Sequence, residues 1–347
     1  MTQLEPPRTA GSAREALASG KATIVPALRT AVDALPGPVR RIAGYHFGWW
    51  DEDGRPAKIG GGGKAIRPTL TLLSAEAAGC RPAEALPAAV AVELVHNFSL
   101  LHDDVMDCDT TRHHRRTAWS VFGVGAAILT GDALLTLAFE VLAGSRHPAA
   151  PAGLKMLAAA VQQLVHGQSV DMSFEHRSVV SPAECLRMSE DKTASLLGCA
   201  CALGASFGGA TAENIERMRQ FGSCLGLAFQ HVDDLLGIWG EPDKTGKPVY
   251  SDLQNRKKSL PVVAALSSGT PAGRELADLY AGDAPLSANE LARAAELIDL
   301  AGGRAWSEKQ AERLLAQALQ SLSSVASARG AVTRMTALAQ LVTQRDR

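Results

Sequence analysis

The chain runs to 347 residues with a formal net charge of −1, so bulk electrostatics makes no case for a nucleic-acid partner or an anionic membrane surface. Hydrophobic residues make up 46% and aromatics only 5%, which leaves a core built from Ala, Leu and Val, a composition that favours helices. The six cysteines, at positions 80, 108, 185, 199, 201 and 224, form no paired CxxC motifs and read as reduced core thiols, which points to the cytoplasm.

Residues 1–20 lack the apolar stretch of a secretory signal and read as a flexible N-terminal arm. From about Ala22 to the C-terminus helical periodicity recurs, and no linker or fixed-period repeat divides it, so 21–347 reads as a single all-α domain. Breaks fall at Pro36-Gly37-Pro38, Asp51 to Gly63, Arg146 to Pro151, Ser181-Pro182, Gly240 to Pro248 and Gly269 to Pro271. The uncharged stretch Thr193 to Ala212 is long enough to span a bilayer, but its Ala, Gly, Ser and Cys content suits a closely packed buried helix; no transmembrane segment is expected.

The first chemical signal is the glycine run Gly60 to Gly63, followed by Lys64 and Arg67. It lets backbone approach a ligand and presents two cations, which suits a diphosphate; a flexible connector with solvated charges fits it equally well. It is not a Walker A loop, because no Gly-Lys-Ser/Thr follows at the required interval. Next comes an apolar helix carrying His96 and, two turns later, Asp103-Asp104-Val105-Met106-Asp107. Asp103 and Asp107 lie four apart and share a helix face, with Asp104 on its flank. A basic run from Arg112 and His113 to Arg116 follows directly. Gly167-Gln168 with Asp171, and then Lys192-Thr193, place polar groups in apolar helices.

Far downstream, Gln230 precedes a second cluster, Asp233-Asp234, again in a helical apolar run. Carboxylates this close repel one another unless hard cations intervene, and an all-oxygen site suits magnesium, which also binds substrate phosphates. The two clusters together predict a diphosphate held by Mg²⁺ between two helices. The later segment carrying Lys247, Asp252, Lys257 and Lys258 reads either as an exposed charged loop or as a lysine-bearing lid over phosphates.

These motifs, in this order from about Gly62 to Leu266, closely resemble the trans-isoprenyl diphosphate synthases, or polyprenyl synthetases. The resemblance implies the all-α class I terpenoid synthase fold, a helical bundle around a deep apolar cavity, as a homodimer. It implies that Asp103, Asp107 and Asp233 ligate Mg²⁺ directly with Asp104 and Asp234 in support, about three ions assembling with the bound diphosphate. Arg112, Lys192, Thr193, Gln230, Lys247 and Lys257 would then grip the allylic diphosphate, and Lys64, Arg67 and His96 the diphosphate of isopentenyl diphosphate. The implied reaction extends an allylic diphosphate (dimethylallyl, geranyl or farnesyl) by one isopentenyl unit.

Four positions depart from the family pattern. Gly237 stands where a third aspartate is usual, His113 where a second arginine is common, Arg256 in place of glycine and Ala65 in place of arginine. Loss of the carboxylate at 237 weakens one metal position, and His113 binds diphosphate best when protonated. Phe98, five residues before Asp103, lies about 7 to 8 Å below the carboxylates on a helix and reads as a pocket floor, which points to a C20 product with C15 next; an ordinary core aromatic is the alternative. The competing readings are a terpene cyclase of the same fold, a non-catalytic partner subunit and a helical nucleic-acid binder. Lys64, Arg67 and His96 speak against the cyclase, the intact aspartate pairs against the silent partner, and the near-neutral charge against the nucleic-acid binder.

Overall fold

The computed structural model describes residues 8–57, 63–112, 114–241, 249–282, 284–325 and 328–343. In chain order the helices are α1 (Arg8–Asp33), α2 (Gly37–His46), α3 (Ile66–Ala77), α4 (Leu86–Met106), α5 (Ala118–Phe122), α6 (Val124–Ala143), α7 (Ala150–Glu175), α8 (Pro182–Ser189) and α9 (Ser195–Phe207). They continue as α10 (Ala212–Trp239), α11 (Ser251–Gln254), α12 (Leu260–Leu266), α13 (Pro271–Ala281), α14 (Ala288–Leu300), α15 (Gly303–Ser323) and α16 (Arg329–Thr343). Among the described residues the only sheet is a two-stranded hairpin, Thr111–Arg112 paired with Arg115–Arg116.

Two compact units emerge, residues 1–159, 199–219 and 322–338 in the first and 160–198, 220–321 and 339–347 in the second. The sequence reading has one domain because every boundary falls inside a helix, where composition carries no linker signal.

In the first unit α4 is the central helix, packed along α6 and against α3 and α1. Pro87 sits in its first turn, where the missing N–H costs nothing, and Val90, Val92, Leu94, Val95, Phe98 and Leu101 are buried. The α4 region is long and apolar enough to cross a membrane (Pro82–Met106), but its apolar window is 72% buried and it ends in carboxylates, as a core helix does. The only other such helix among the described residues, α6, is 39% buried and exposes Val124, Ile128 and Leu129. The stretch 193–212 instead forms α9 with Leu196, Leu197, Ala200 and Leu203 buried, as its composition predicts.

Of the expected N-terminal arm, residues 1–7 lie outside the described residues and the rest is helical. Residues 8–20 form the first half of α1, with Ala13 and Ala16 buried. Gly20, which reads as the arm's end, is the point where α1 lies flush on α3: a Cβ there would fall 2.2 Å from Thr69 Oγ1.

In the second unit α12 packs against α8, α13 and α14, and Ile238, Leu253, Val262, Leu276, Leu297 and Ile298 form a dry cluster. A capping box starts α8, with Ser181 Oγ accepting from Glu184 N and the Glu184 carboxylate from Ser181 N, so the helix begins at a fixed residue.

Candidate active site

The first acidic motif closes α4. Asp104 is 1% exposed, Asp103 half-buried and Asp107 exposed at the C-cap, its N–H donating to Asp103 O at 2.8 Å. A helix C-terminus is the negative end of the macrodipole, so carboxylates there are placed against the local field and suit a site that receives cations. Asp104 Oδ1 accepts from Arg112 Nε at 2.7 Å, while its Oδ2 is buried without a hydrogen-bond partner. Burial pushes the Asp104 carboxyl up to about 6; Arg112 works in the opposite direction.

Arg112, Arg115 and Arg116 of the basic run lie on a two-stranded hairpin. Arg115 lies over the Tyr45 ring and donates to the carbonyls of Tyr45 (3.0 Å) and Trp50 (3.1 Å), and Tyr45 Oη donates to Arg116 O. Those contacts hold the strand that aims Arg112 at Asp104. His113 lies outside the described residues.

Beside this motif is a cavity of ≈ 350 Å³ whose lining includes His96, Asp104 and Arg112. Arg67 donates from Nη1 to His96 Nε2 at 3.1 Å, which makes that nitrogen an acceptor and puts the His96 proton on Nδ1. Burial lowers the Arg67 guanidinium to about 10, with the buried Glu93 pulling it back up. Lys64 is exposed, and the glycines from 60 to 62 lie outside the described residues. Ala65 adopts a left-handed conformation, φ 51°, as the cap before α3. Sequence reasoning missed Glu93; its signal was a lone carboxylate in the apolar run, three residues before His96.

The second unit gathers Lys192, Thr193, Gln230, Asp234 and Lys257 around a small hollow of ≈ 30 Å³. Lys192 Nζ donates to Asp171 Oδ2, Thr193 Oγ1 to Gln230 Oε1 and Gln230 Nε2 to Asp234 Oδ1, each at 2.7 Å; Leu260 N donates to Asp234 Oδ2 at 2.9 Å. Lys192 and Thr193 belong to a π-helical turn, Glu190–Ala194, and a Cβ on Gly167 would fall 2.3 Å from Lys192 N. The glycine before Gln168 is thus what lets α7 lie against this turn. Asp234 is 3% exposed while Asp233 is exposed.

Burial pushes the Asp234 carboxyl up to about 7, partly countered by Lys257. Burial likewise opposes charge on Lys257, but Asp252, Asp234, Asp171 and Asp233 outweigh it and hold the ammonium charged. Lys257 thus lines this hollow among four carboxylates while its side chain stays exposed to solvent, so the segment is both a charged loop and part of the cluster. Lys247 lies outside the described residues. A Cβ at Gly237 would fall 2.4 to 2.8 Å from the carboxyl atoms of Asp252, so the space of the missing third aspartate is filled by Asp252. Arg256 takes a positive φ of 45° and donates to Ala284 O, which gives that departure a structural role.

The polyprenyl synthetase family model matches residues 57–298. The chain is 47% identical over 305 residues to a (2E,6E)-farnesyl diphosphate synthase from Mycobacterium tuberculosis, covering 87% of this chain and 85% of that protein. It is 43% identical over 331 residues to a geranylgeranyl diphosphate synthase from the same organism, covering 95% and 93%. A crystal structure of a polyprenyl synthetase from Streptomyces coelicolor superposes with a TM-score of 0.91 at 48% identity, covering 95% of this chain and 99% of that one. The chain belongs to the polyprenyl synthetase family, and its helices have the class I isoprenoid synthase fold.

Proposed function

We propose that the protein is a prenyltransferase that condenses isopentenyl diphosphate with an allylic diphosphate, head to tail, to give a short-chain all-trans prenyl diphosphate. The observation that carries this is the paired design of the acidic motifs: each buries and tethers one aspartate, Asp104 or Asp234, and leaves its neighbours Asp103, Asp107 or Asp233 facing outward. The cavity around His96, next to Arg67, supports a second diphosphate site, which a terpene cyclase has no use for.

The donor set fits Mg²⁺: outward carboxylate oxygens, two of them one helical turn apart. Mg²⁺ characteristically takes one or two carboxylates and completes its shell with substrate phosphate and water. Bound there, Mg²⁺ neutralises the charge of the leaving diphosphate. In the reaction the allylic C1–O bond breaks and its electron pair leaves with the diphosphate. The acceptor's terminal alkene carbon bonds to C1, and the proton lost from the adjoining position goes to the departing diphosphate. Arg112, Lys192, Thr193, Gln230 and Lys257 hold the allylic diphosphate, with Lys247 assigned by pattern; Lys64, Arg67, His96 and, less strongly, His113 hold the acceptor's.

The product assigned is C20, with C15 next. Phe98 supports a short product: it is buried on α4 below Asp103, and its ring stands edge-on to His102 with centroids 4.8 Å apart. The exposed apolar side chains of α6 support a homodimer through that helix, and the weakly apolar buried α9 supports a cytoplasmic protein.

The test is incubation with isopentenyl diphosphate and each of the dimethylallyl, geranyl and farnesyl diphosphates, followed by product chromatography. Turnover is expected with Mg²⁺ and none with EDTA; full activity without a divalent ion rules the mechanism out. Phe98→Ala is expected to lengthen the product by at least one C5 unit, with a thermal melt alongside because the vacated space costs about 3 kcal/mol or more. A folded, active Phe98→Ala protein with an unchanged product assigns chain length elsewhere.

A further inference from the structure

The cations that line the cavity of the first unit are not equivalent. Arg112 is tied to Asp104, Arg115 to two backbone carbonyls, and Arg116 to the carbonyl of Ser120. Arg29 rests over the Trp49 ring, 5.1 Å from its centroid. Lys21 differs. It lines the same cavity from α1, and among the described residues no carbonyl or side chain accepts a hydrogen bond from it. Its neighbours on that face, Ile24, Val25, Leu28 and Arg29, follow at helical spacing, so one stripe of α1 forms a wall of the cavity.

Register places Lys21 there. Gly20 brings α1 onto Thr69, two residues beyond Arg67 on α3, and Lys21 is the next residue. Lys21 and Arg67 are both close enough to the buried Glu93 to favour its charged form. One carboxylate cannot neutralise two cations. A surplus positive charge is left beside His96, where Arg67 already donates. Lys64 and Arg67 keep two of the family's cations, but Ala65 and His113 stand where arginines are common.

We propose that Lys21 is an acceptor-site residue: it donates to the diphosphate of isopentenyl diphosphate from α1, supplying on this wall a cation that Ala65 does not. This rests on the reading given under Proposed function. A solvent-screened lysine would contribute little, but at a half-buried wall shared with Glu93 a charge-assisted hydrogen bond to phosphate carries more of its strength.

Isopentenyl diphosphate alone does not react, so its binding is read directly by calorimetry, and steady-state kinetics is run in parallel with geranyl diphosphate as the primer. Lys21→Met, which keeps the aliphatic stem, is expected to weaken isopentenyl diphosphate binding about tenfold or more and to raise its KM alike, with the allylic KM and kcat within about twofold. Lys21→Arg should recover most of the loss. Arg29→Ala should leave acceptor binding within about twofold, since that guanidinium is engaged by Trp49. A folded Lys21→Met protein that binds the acceptor like the parent overturns the proposal. So does one in which both KM values and the melting temperature move together, for then Lys21 only balances Glu93. A parent that binds neither substrate and turns nothing over instead overturns the prenyltransferase reading itself, an outcome visible before any variant is made.

Discussion

The two acidic motifs solve one problem with different surroundings. In the first, Asp104 is buried against a single arginine from a hairpin, and the outward pair Asp103 and Asp107 stands one turn apart at a helix end. In the second, Asp234 is held by a side-chain amide and a backbone N–H with Lys257 beside it, and Asp233 has only Gly237 one turn on, with the Asp252 carboxyl filling that place. The first motif thus has two outward carboxylates on one helix. The second has one on its helix and a borrowed neighbour. In both, an anchored aspartate stands behind the outward carboxylates, held in one case by an arginine and in the other by an amide network.

Substitution of the outward aspartates sharpens this most. Asp103→Ala is expected to lower kcat by about a thousandfold or more and Asp233→Ala by about a hundredfold, because Asp252 stands beside the second motif to share the load. Steady-state rates at saturating Mg²⁺ check it; an Asp233 loss larger than the Asp103 loss reverses the ranking.

The anchors come next. Lys257→Met leaves Asp234, Asp252 and Asp171 facing one another without that cation and, because the lysine is exposed to solvent, should cost only about 1 kcal/mol in urea unfolding. Arg112→Ala exposes Asp104 to a half-open cavity and should cost about 1–3 kcal/mol. Equal losses would mean that the two anchors carry equal weight.

A pH slope confined to the second unit separates the two regions further. His231, two residues before Asp233, is fully buried with Nδ1 2.7 Å from Ser307 Oγ, and burial, reinforced by Arg313, pushes it down to about 4. The unfolded chain binds this proton near pH 6.5, so the unfolded state holds more protons between those values. The neutral ring's contribution, about 3 kcal/mol, is complete above pH 6.5 and is lost as pH falls toward 4. Melting temperatures should drop from pH 7.5 to pH 5, and His231→Gln should flatten that drop; an undiminished slope in the variant places its origin in other groups.

Much of the candidate site was legible because its chemistry is written in short, fixed spacings: Asp103 and Asp107 at one turn, His96 two turns earlier, Gln230 one turn before Asp234. The helical core was legible for the same reason. What escaped were pairings between distant segments. Gly20 closes the expected N-terminal arm, yet it serves a helix crossing inside α1. No periodicity ties Glu93 to Lys21, or Gly237 to Asp252; those relations exist only once helices have packed. The run from Arg112 to Arg116 carries no strand signal, because a two-residue strand is too short for alternation to register.

The π-helical turn at Glu190–Ala194 bears on how this protein tolerates insertion and deletion. Such a turn holds one residue more than the α-helix on either side requires, the mark of a single added residue that leaves both flanks in place. A one-residue deletion within 190–194 would let α8 run into α9 as plain α-helix with both flanks keeping their faces, so the buried stripe of α9 would stay inside and the cost would fall on the turn itself, where Lys192 reaches Asp171. A deletion inside α9 has no such slack, because each residue turns a helix by about 100° and the side chains beyond it must swing by that angle. Chain length is therefore more forgiving at this turn, as at the exposed inter-helix loop Ser268–Gly269, than in the helices beside it.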